Sequence, residues 1–503
     1  MDVSPDTFRA VIDAHAASRP HAPFLIAPEP GLAIDYATLR ANCRAFAGLL
    51  DAARILPGAT VSFMLENGMS AATVFLGAMY GGYVVSPINL LAQDAQLEYA
   101  LMHSGAQVVF ATGSNQERLA AIQRKTGATF GIRVVGIDGI ELPDAAPARL
   151  APVRAGDPAM LMYTSGTTGT PKGALLSHAN MLFAGRAVAE SLALGSTDRV
   201  LSSLPLYHIN GQCIATVAPL ASGGSIVMPH RFSVTQWWRL VEAHRPTWLN
   251  MVPTIIAYLL NGPELTSSQA AACAHVRFGR SASAPLPPEQ HRAFEQHFGI
   301  SVVEAMGLTE CASVAFSNPL DAGSRKYGSP GIPLGVEARV VDPSGRVLPA
   351  GERGEIEIRG GNVMVGYFKS PDVTAQSMRD GGWFATGDLG HRDADGYYFI
   401  TGRLKELIIK GGENIAPREI DEALLAHPAV LEAAAVGVPD AAYGQEILAC
   451  VVVKPGASCT EDDLRAHCLR TLGRYKSPRY LRLVDQLPKG PSGKVQRLRL
   501  VEL

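Results

Sequence analysis

The run from Tyr163 to Gly173 reads Tyr-Thr-Ser-Gly-Thr-Thr-Gly-Thr-Pro-Lys-Gly and lies between two apolar stretches, Ala159 to Met162 and Ala174 to Leu176. Gly166 and Gly169 free the backbone to turn successive N–H groups toward one point. The hydroxyls of Thr164, Ser165, Thr167, Thr168 and Thr170 add neutral donors, Pro171 stiffens the exit, and Lys172 adds one positive charge. A polyphosphate suits such a loop. It is not a Walker A loop: read from Gly166, that pattern needs glycine where Pro171 stands and a hydroxyl residue where Gly173 stands.

Six further short runs follow in order: Leu204-Pro-Leu-Tyr-His208, Met306-Gly-Leu-Thr-Glu310, Thr386-Gly-Asp388, Gly402-Arg403, Gly411-Gly-Glu-Asn414 and Ser492-Gly-Lys494. Each alone is weak. Together, and spread over nearly the whole chain, they resemble the adenylate-forming (AMP-binding) superfamily of acyl-CoA synthetases and adenylation enzymes.

The resemblance implies two steps, in which a carboxylate attacks the α-phosphate of ATP to give an acyl-adenylate and pyrophosphate, and a thiol then displaces AMP. The first step joins two anions, so charge neutralisation should dominate it. Thr164 to Lys172 would then hold the β- and γ-phosphates. Glu304, Ala305, Met306, Gly307 and Thr309 would belong to the ATP site, and Glu310 with Thr309 or Thr164 would position Mg²⁺, a hard cation suited to a carboxylate and phosphate oxygens. Met306 departs from the family pattern, which has tyrosine stacking on adenine here. Asp388 would accept from both ribose hydroxyls, with Arg403 beside it. Lys494 would bridge the attacking carboxylate and the α-phosphate; the bland reading is one more lysine on a basic edge with Arg479, Arg482, Arg497 and Arg499. Lys405 matches the hinge about which the family rotates its small domain, and Gly411, Gly412 and Glu413 match the lining of the CoA tunnel.

The resemblance also places His208, Arg280, Ser281 and Ala282 at the acyl pocket. His208 would gate it, or else cap a strand structurally. Ala282 stands where relatives often carry glycine, and its methyl group should narrow the pocket against long chains. Arg280 stands where many relatives are apolar. It would pair with a second anion on a short substrate, or else point outward into a salt bridge. From Arg280 to Lys494 the chain is most similar to oxalyl-CoA synthetases, with malonyl-CoA synthetases and sulfoacetate-CoA ligases as neighbours. The implied activity is an ATP- and CoA-dependent ligase for a small polar or dianionic carboxylic acid. The alternatives are a medium-chain or aryl acyl-CoA synthetase, or a stand-alone adenylation enzyme loading a carrier protein.

Elements must position these residues. Short apolar runs such as Val108 to Phe110, Ser225 to Met228 and Trp248 to Val252 alternate with helical patterns up to about residue 400, which predicts an α/β body with several sheets. Ser4 is expected to cap the first helix, with Pro5 at its first position and Phe8, Val11 and Ile12 on one face. From Val336 to Arg359 alternating strands predict a β-rich subdomain. After Arg403, a helix from Pro417, strands at Ala433 to Val438 and Ile447 to Val453, and a helix capped by Thr460 and Asp463 predict a small α+β lid. The expected division is 1–403 for the nucleotide and acyl site and 404–503 for the mobile domain carrying Lys494.

Composition narrows the function classes. With 503 residues, more than one core is expected. Forty-four basic against 46 acidic side chains give a net charge of -2, which speaks against a dedicated nucleic-acid binder. Seven scattered cysteines without a CxxC pair speak against a disulfide framework or a zinc cluster and for a reducing, cytoplasmic setting. No basic segment leads into an apolar run at the N-terminus. The uncharged stretch from Asn67 to Gln93 reads as a buried helix through Phe75 and Met79 followed by a strand at Tyr83 to Val85, not as a membrane span. A homodimer is compatible with all of this.

Overall fold

The computed structural model describes residues 5–143, 150–164, 171–489 and 495–503. The fold is α/β, with two large mixed sheets, a five-stranded antiparallel sheet and a small C-terminal α+β unit.

The nine-stranded sheet runs through Ile332–Pro333, Phe316–Ser317, Val302–Met306, Phe278–Ser281, Trp248–Met251, Arg199–Leu201, Ser225–Val227, Pro23–Ala27 and Leu32–Asp35. Its middle strands are parallel and fully buried, which is why they read as unbroken apolar runs. Alternation splits their side chains between two cores. Trp248, Phe278 and Val303 join the cluster shared with the second large sheet, while Leu249, Met251 and Val302 pack on the other side against Trp237, Phe294 and Phe298.

The seven-stranded sheet carries Pro158–Thr164 and Lys172–Ser177 as an antiparallel pair, with the edge strand Gly366–Tyr367 beside the latter. The helix Met69–Gly81 and the strand Val84–Pro87 account for the uncharged stretch. Every residue of that helix is buried, and Gly77 leaves room for the ring of Phe46, which a methyl group there would strike at 2.8 Å. Among the described residues no helix is long and apolar enough to cross a membrane.

The β-rich region is the antiparallel sheet of Val336–Val341, Gly354–Gly360, Trp383–Arg392, Met378–Arg379 and Tyr398–Arg403. Beyond the 3₁₀ turn Leu404–Glu406, a further five-stranded sheet built on Gly444–Val453 and Val430–Asp440 packs against Pro417–Leu425 and Glu461–Lys476. Thr460 caps the latter helix as expected: its hydroxyl accepts from the Asp463 N–H at 3.2 Å, and the Asp463 carboxylate accepts from the Thr460 N–H at 2.9 Å.

The first helix starts later than expected. It spans Phe8–Ser18 with Thr7 as its N-cap, whose hydroxyl accepts from the Ala10 N–H at 3.2 Å; the expected cap, Ser4, lies outside the described residues. The Phe8 N–H donates to Nδ1 of buried His178 at 3.4 Å, and the Phe8 ring is fully buried. That packing fixes where the helix starts, and Pro5 precedes it.

Candidate active site

Three pieces of chain meet at the phosphate loop. Thr164 ends one strand of the antiparallel pair and Lys172 begins the other, with the Thr164 hydroxyl 3.4 Å from the Lys172 carbonyl. The loop is thus the tip of a hairpin. Its residues Ser165, Gly166, Thr167, Thr168, Gly169 and Thr170 lie outside the described residues, as does Lys494, while Pro171 is partly exposed at the loop's exit.

Lys172 Nζ lies 5.0 Å from the centre of the Tyr367 ring, a cation–π contact, and the Tyr367 hydroxyl donates to Glu310 Oε1 at 2.9 Å. The Met364 N–H holds the Glu310 carbonyl at 2.8 Å, so the 3₁₀ turn Thr309–Cys311 is fastened to the edge strand. One tyrosine thereby links the loop's cation to the expected metal-positioning carboxylate. Sequence reading passed over Tyr367. The signal was the short apolar run Val363 to Val365 before Gly366, an edge strand whose partner is almost 200 residues away.

Asp388 and Arg403 face each other across an antiparallel pair, with Arg403 Nε donating to Asp388 Oδ1 at 2.8 Å. Asp388 is buried, and its negative charge raises the pKa of the guanidinium. Both line a cavity of about 330 Å³ together with Ala305 and Met306. The opposite wall comes from beyond Arg403: Arg418 on the helix Pro417–Leu425, and Lys489 and Val495, which pair in an antiparallel bridge. The two residues flanking the 490–494 segment are therefore on the cavity.

Gly307 is required by a close approach. A Cβ there would lie 2.1 Å from the Ser313 carbonyl group, so the chain after Met306 folds back only with glycine at this point.

Glu304 sits beneath this wall. Its Oε1 accepts from the Leu286 N–H at 3.1 Å, and its Oε2 is buried with no hydrogen-bond partner. Burial pushes its carboxyl up to about 7 from the usual 4.5, against the opposing pull of the Leu286 N–H and Arg418. The folded chain keeps a proton that the unfolded chain releases near pH 4.5, so this group makes stability fall as pH rises from 4.5 through 7. Glu304→Gln should remove that slope, with denaturant titrations at pH 5 and 7.5 differing by up to ~3 kcal/mol less than in the wild type; an unchanged slope would contradict it.

The expected acyl-pocket residues divide. His208 Nδ1 accepts from the Asn210 N–H at 3.3 Å at the start of the buried π-helix Asn210–Val217, and the Asn210 amide donates to the Ser283 hydroxyl at 3.1 Å. His208 is thus tied to the loop after Arg280. None of His208, Arg280, Ser281 and Ala282 lines the cavity; Ser283 and Ala284 do. Ser281 registers with Met251 and Glu304, and strand alternation puts its side chain on the face away from Arg280. Ala282 is buried behind Ser283.

Arg280 is not an outward salt bridge. It is 2% exposed, makes no ion pair among the described residues, and its Nη1 has no hydrogen-bond partner. Burial alone pushes its guanidinium down to about 10. A buried charge without a counterion is costly.

The remaining expected residues lie elsewhere. Gly411 and Gly412 form the two-residue turn between Ile408–Lys410 and Glu413–Ile415, both with positive φ, and Glu413 is exposed. Lys405 is exposed in the 3₁₀ turn after Arg403. None of these four lines the cavity.

Residues 12–368 match the AMP-binding enzyme family, and residues 419–494 match the AMP-binding enzyme C-terminal domain. The chain is 53% identical to the sulfoacetate–CoA ligase of Cupriavidus necator over 99% of its own length and 97% of that protein's. It is 33% identical to an oxalate–CoA ligase of Arabidopsis thaliana over 90% of each. Among solved structures, ATP-bound MatB from Rhodopseudomonas palustris superposes with a TM-score of 0.89 at 33% identity, covering 99% of this chain and 98% of that one.

Proposed function

Given that the chain belongs to the AMP-binding enzyme family and is an AMP-forming acyl-CoA synthetase, which uses ATP and CoA to activate a small carboxylic acid, we propose that its acid carries a second anionic group, with sulfoacetate ahead of oxalate and malonate. The observation that carries this is Arg280, a fully buried guanidinium without a counterion among the described residues. A dianion supplies the missing charge, whereas a monoanionic acid of similar size leaves the arginine unpaired. The 53% identity to a sulfoacetate–CoA ligase supports the order of preference.

In this reading Lys172 and the loop hydroxyls bind the β- and γ-phosphates, Asp388 and Arg403 hold the ribose, and the face of Met306 packs on adenine. Glu310, oriented by Tyr367, and Thr164 or Thr309 would hold Mg²⁺, which would neutralise phosphate charge. One carboxylate beside phosphate oxygens suits that ion, and no group of three or more acidic, His or Cys side chains forms a metal cage among the described residues. Lys494, on the loop between Lys489 and Val495, bridges the acid and the α-phosphate, and His208 gates the acyl pocket.

The proposed division falls between Arg403 and Leu404, with Lys405 as the pivot that brings Gly411, Gly412 and Glu413 to CoA for the second step. Pyrophosphate release tests the acid preference. Sulfoacetate should exceed propionate in kcat/KM by about 100-fold or more, the scale of one charge-assisted pair made or left unmade; equal values would contradict the reading.

A further inference from the structure

The parallel strands give Arg280 defined neighbours. Trp248 registers with Phe278 and Asn250 with Arg280, while Arg280 registers with Val303 on its other side. These side chains share the face that packs toward the second large sheet, as Trp248, Phe278 and Val303 show. Ser202, just past the strand Arg199–Leu201, joins the row by accepting from Asn250 Nδ2 at 3.4 Å. Read across the strands, the row is Ser202, Asn250, Arg280, Val303, and it contains no acid. Ser202, Asn250 and Arg280 lie toward the carboxyl ends of their parallel strands, where α/β sheets bind ligands.

Asn250 is completely buried. Its Nδ2 also donates to Asn210 Oδ1 at 3.0 Å, and Asn210 in turn donates to Ser283 on the cavity wall. These bonds fix the orientation of the amide and leave Asn250 Oδ1 without a partner, as Arg280 Nη1 is. A polar side chain is thus sealed in an apolar strand, in register with a buried cation, and its amide reaches the cavity wall through Asn210 and Ser283. A carboxylate here would have set a negative charge on the strand beside the arginine, and an aliphatic residue would have packed better against Trp248.

We propose that Asn250 is a specificity-determining positioning residue: as a neutral carboxamide in register with Arg280, it withholds an internal counterion, so that the second anionic group of the acid completes the guanidinium's pairing. This rests on the dianionic-acid reading above. Asn250→Asp is the isosteric test. The Asn210 amide can turn to donate to the new carboxylate, so the hydrogen-bond chain to Ser283 survives while a negative charge is set on the strand beside Arg280.

The experiment compares kcat/KM for sulfoacetate and for propionate in the wild type, Asn250→Asp and Asn250→Thr. The wild type should prefer the dianion. Asn250→Asp should lower the sulfoacetate-to-propionate ratio by about 10- to 100-fold, chiefly through the KM for sulfoacetate, whereas neutral Asn250→Thr should keep the ratio within about threefold. A ratio that holds in Asn250→Asp, or falls equally in both variants, overturns the role of Asn250 while leaving the acid preference standing. If Asn250→Asp does not fold, Asn250→Thr decides alone, since lost selectivity there overturns the proposal. A wild type indifferent to the second charge overturns the dianionic reading and this inference with it.

Discussion

Replacing Arg280 with methionine should lower kcat/KM for sulfoacetate by about 10²- to 10³-fold, the equivalent of roughly 3–4 kcal/mol at tenfold per 1.4 kcal/mol, and should raise it for propionate. The two changes have one cause. In the wild type the guanidinium is buried with an unpaired Nη1, so a monoanionic acid leaves a desolvated charge uncompensated, and a dianion is bound partly because it relieves that cost. Methionine keeps much of the arginine stem's volume and removes the charge, so the preference should invert without opening a large void. Folded content should hold or improve, because an unpaired buried ion is being removed. Parallel losses on both acids, with a lowered Tm, would mean that Arg280 is there for packing.

Lys494→Ala should separate the two half-reactions. Adenylation, followed as acid-dependent pyrophosphate release, should fall by about 10²- to 10³-fold, the scale seen when one preorganised donor to developing charge is removed. Thioester formation from supplied acyl-adenylate and CoA should be nearly unaffected, because no anion then approaches the α-phosphate. The described residues on either side support this: Lys489 and Val495, bridged to each other, line the same cavity as Asp388 and Arg403. Equal loss in both half-reactions would remove Lys494 from the adenylation step.

The family was legible in the order of short motifs, since the chain matches the AMP-binding enzyme models that those motifs resemble. The pairing of Asp388 with Arg403, the glycine turn at Gly411 and Gly412, and the Thr460 cap all depend on neighbours close in sequence or on one hairpin. Contacts set by remote strand pairing were hidden. Tyr367 reaches Glu310 and Lys172 only because Gly366–Tyr367 pairs with Ala174 and Leu175. Asn250 sat unnoticed inside an apolar run, and only its register with Arg280 gives its polarity a meaning.

Two further features have the same origin. Ser281 and Arg280 belong to one family-like motif, and their adjacency in a strand puts the two side chains on opposite faces, which the motif alone does not reveal. The first helix was expected to start at Pro5, a residue suited to a first helical position, whereas it begins at Phe8, whose N–H donates to buried His178.

The central claim is that this ligase selects short acids by a second negative charge. CoA-dependent AMP release, measured side by side for sulfoacetate, oxalate, malonate, acetate, benzoate and octanoate, tests it most directly. The account predicts that the highest kcat/KM falls among the three dianions, sulfoacetate first, with octanoate and benzoate at least about 100-fold lower. Preference for octanoate or benzoate would contradict it.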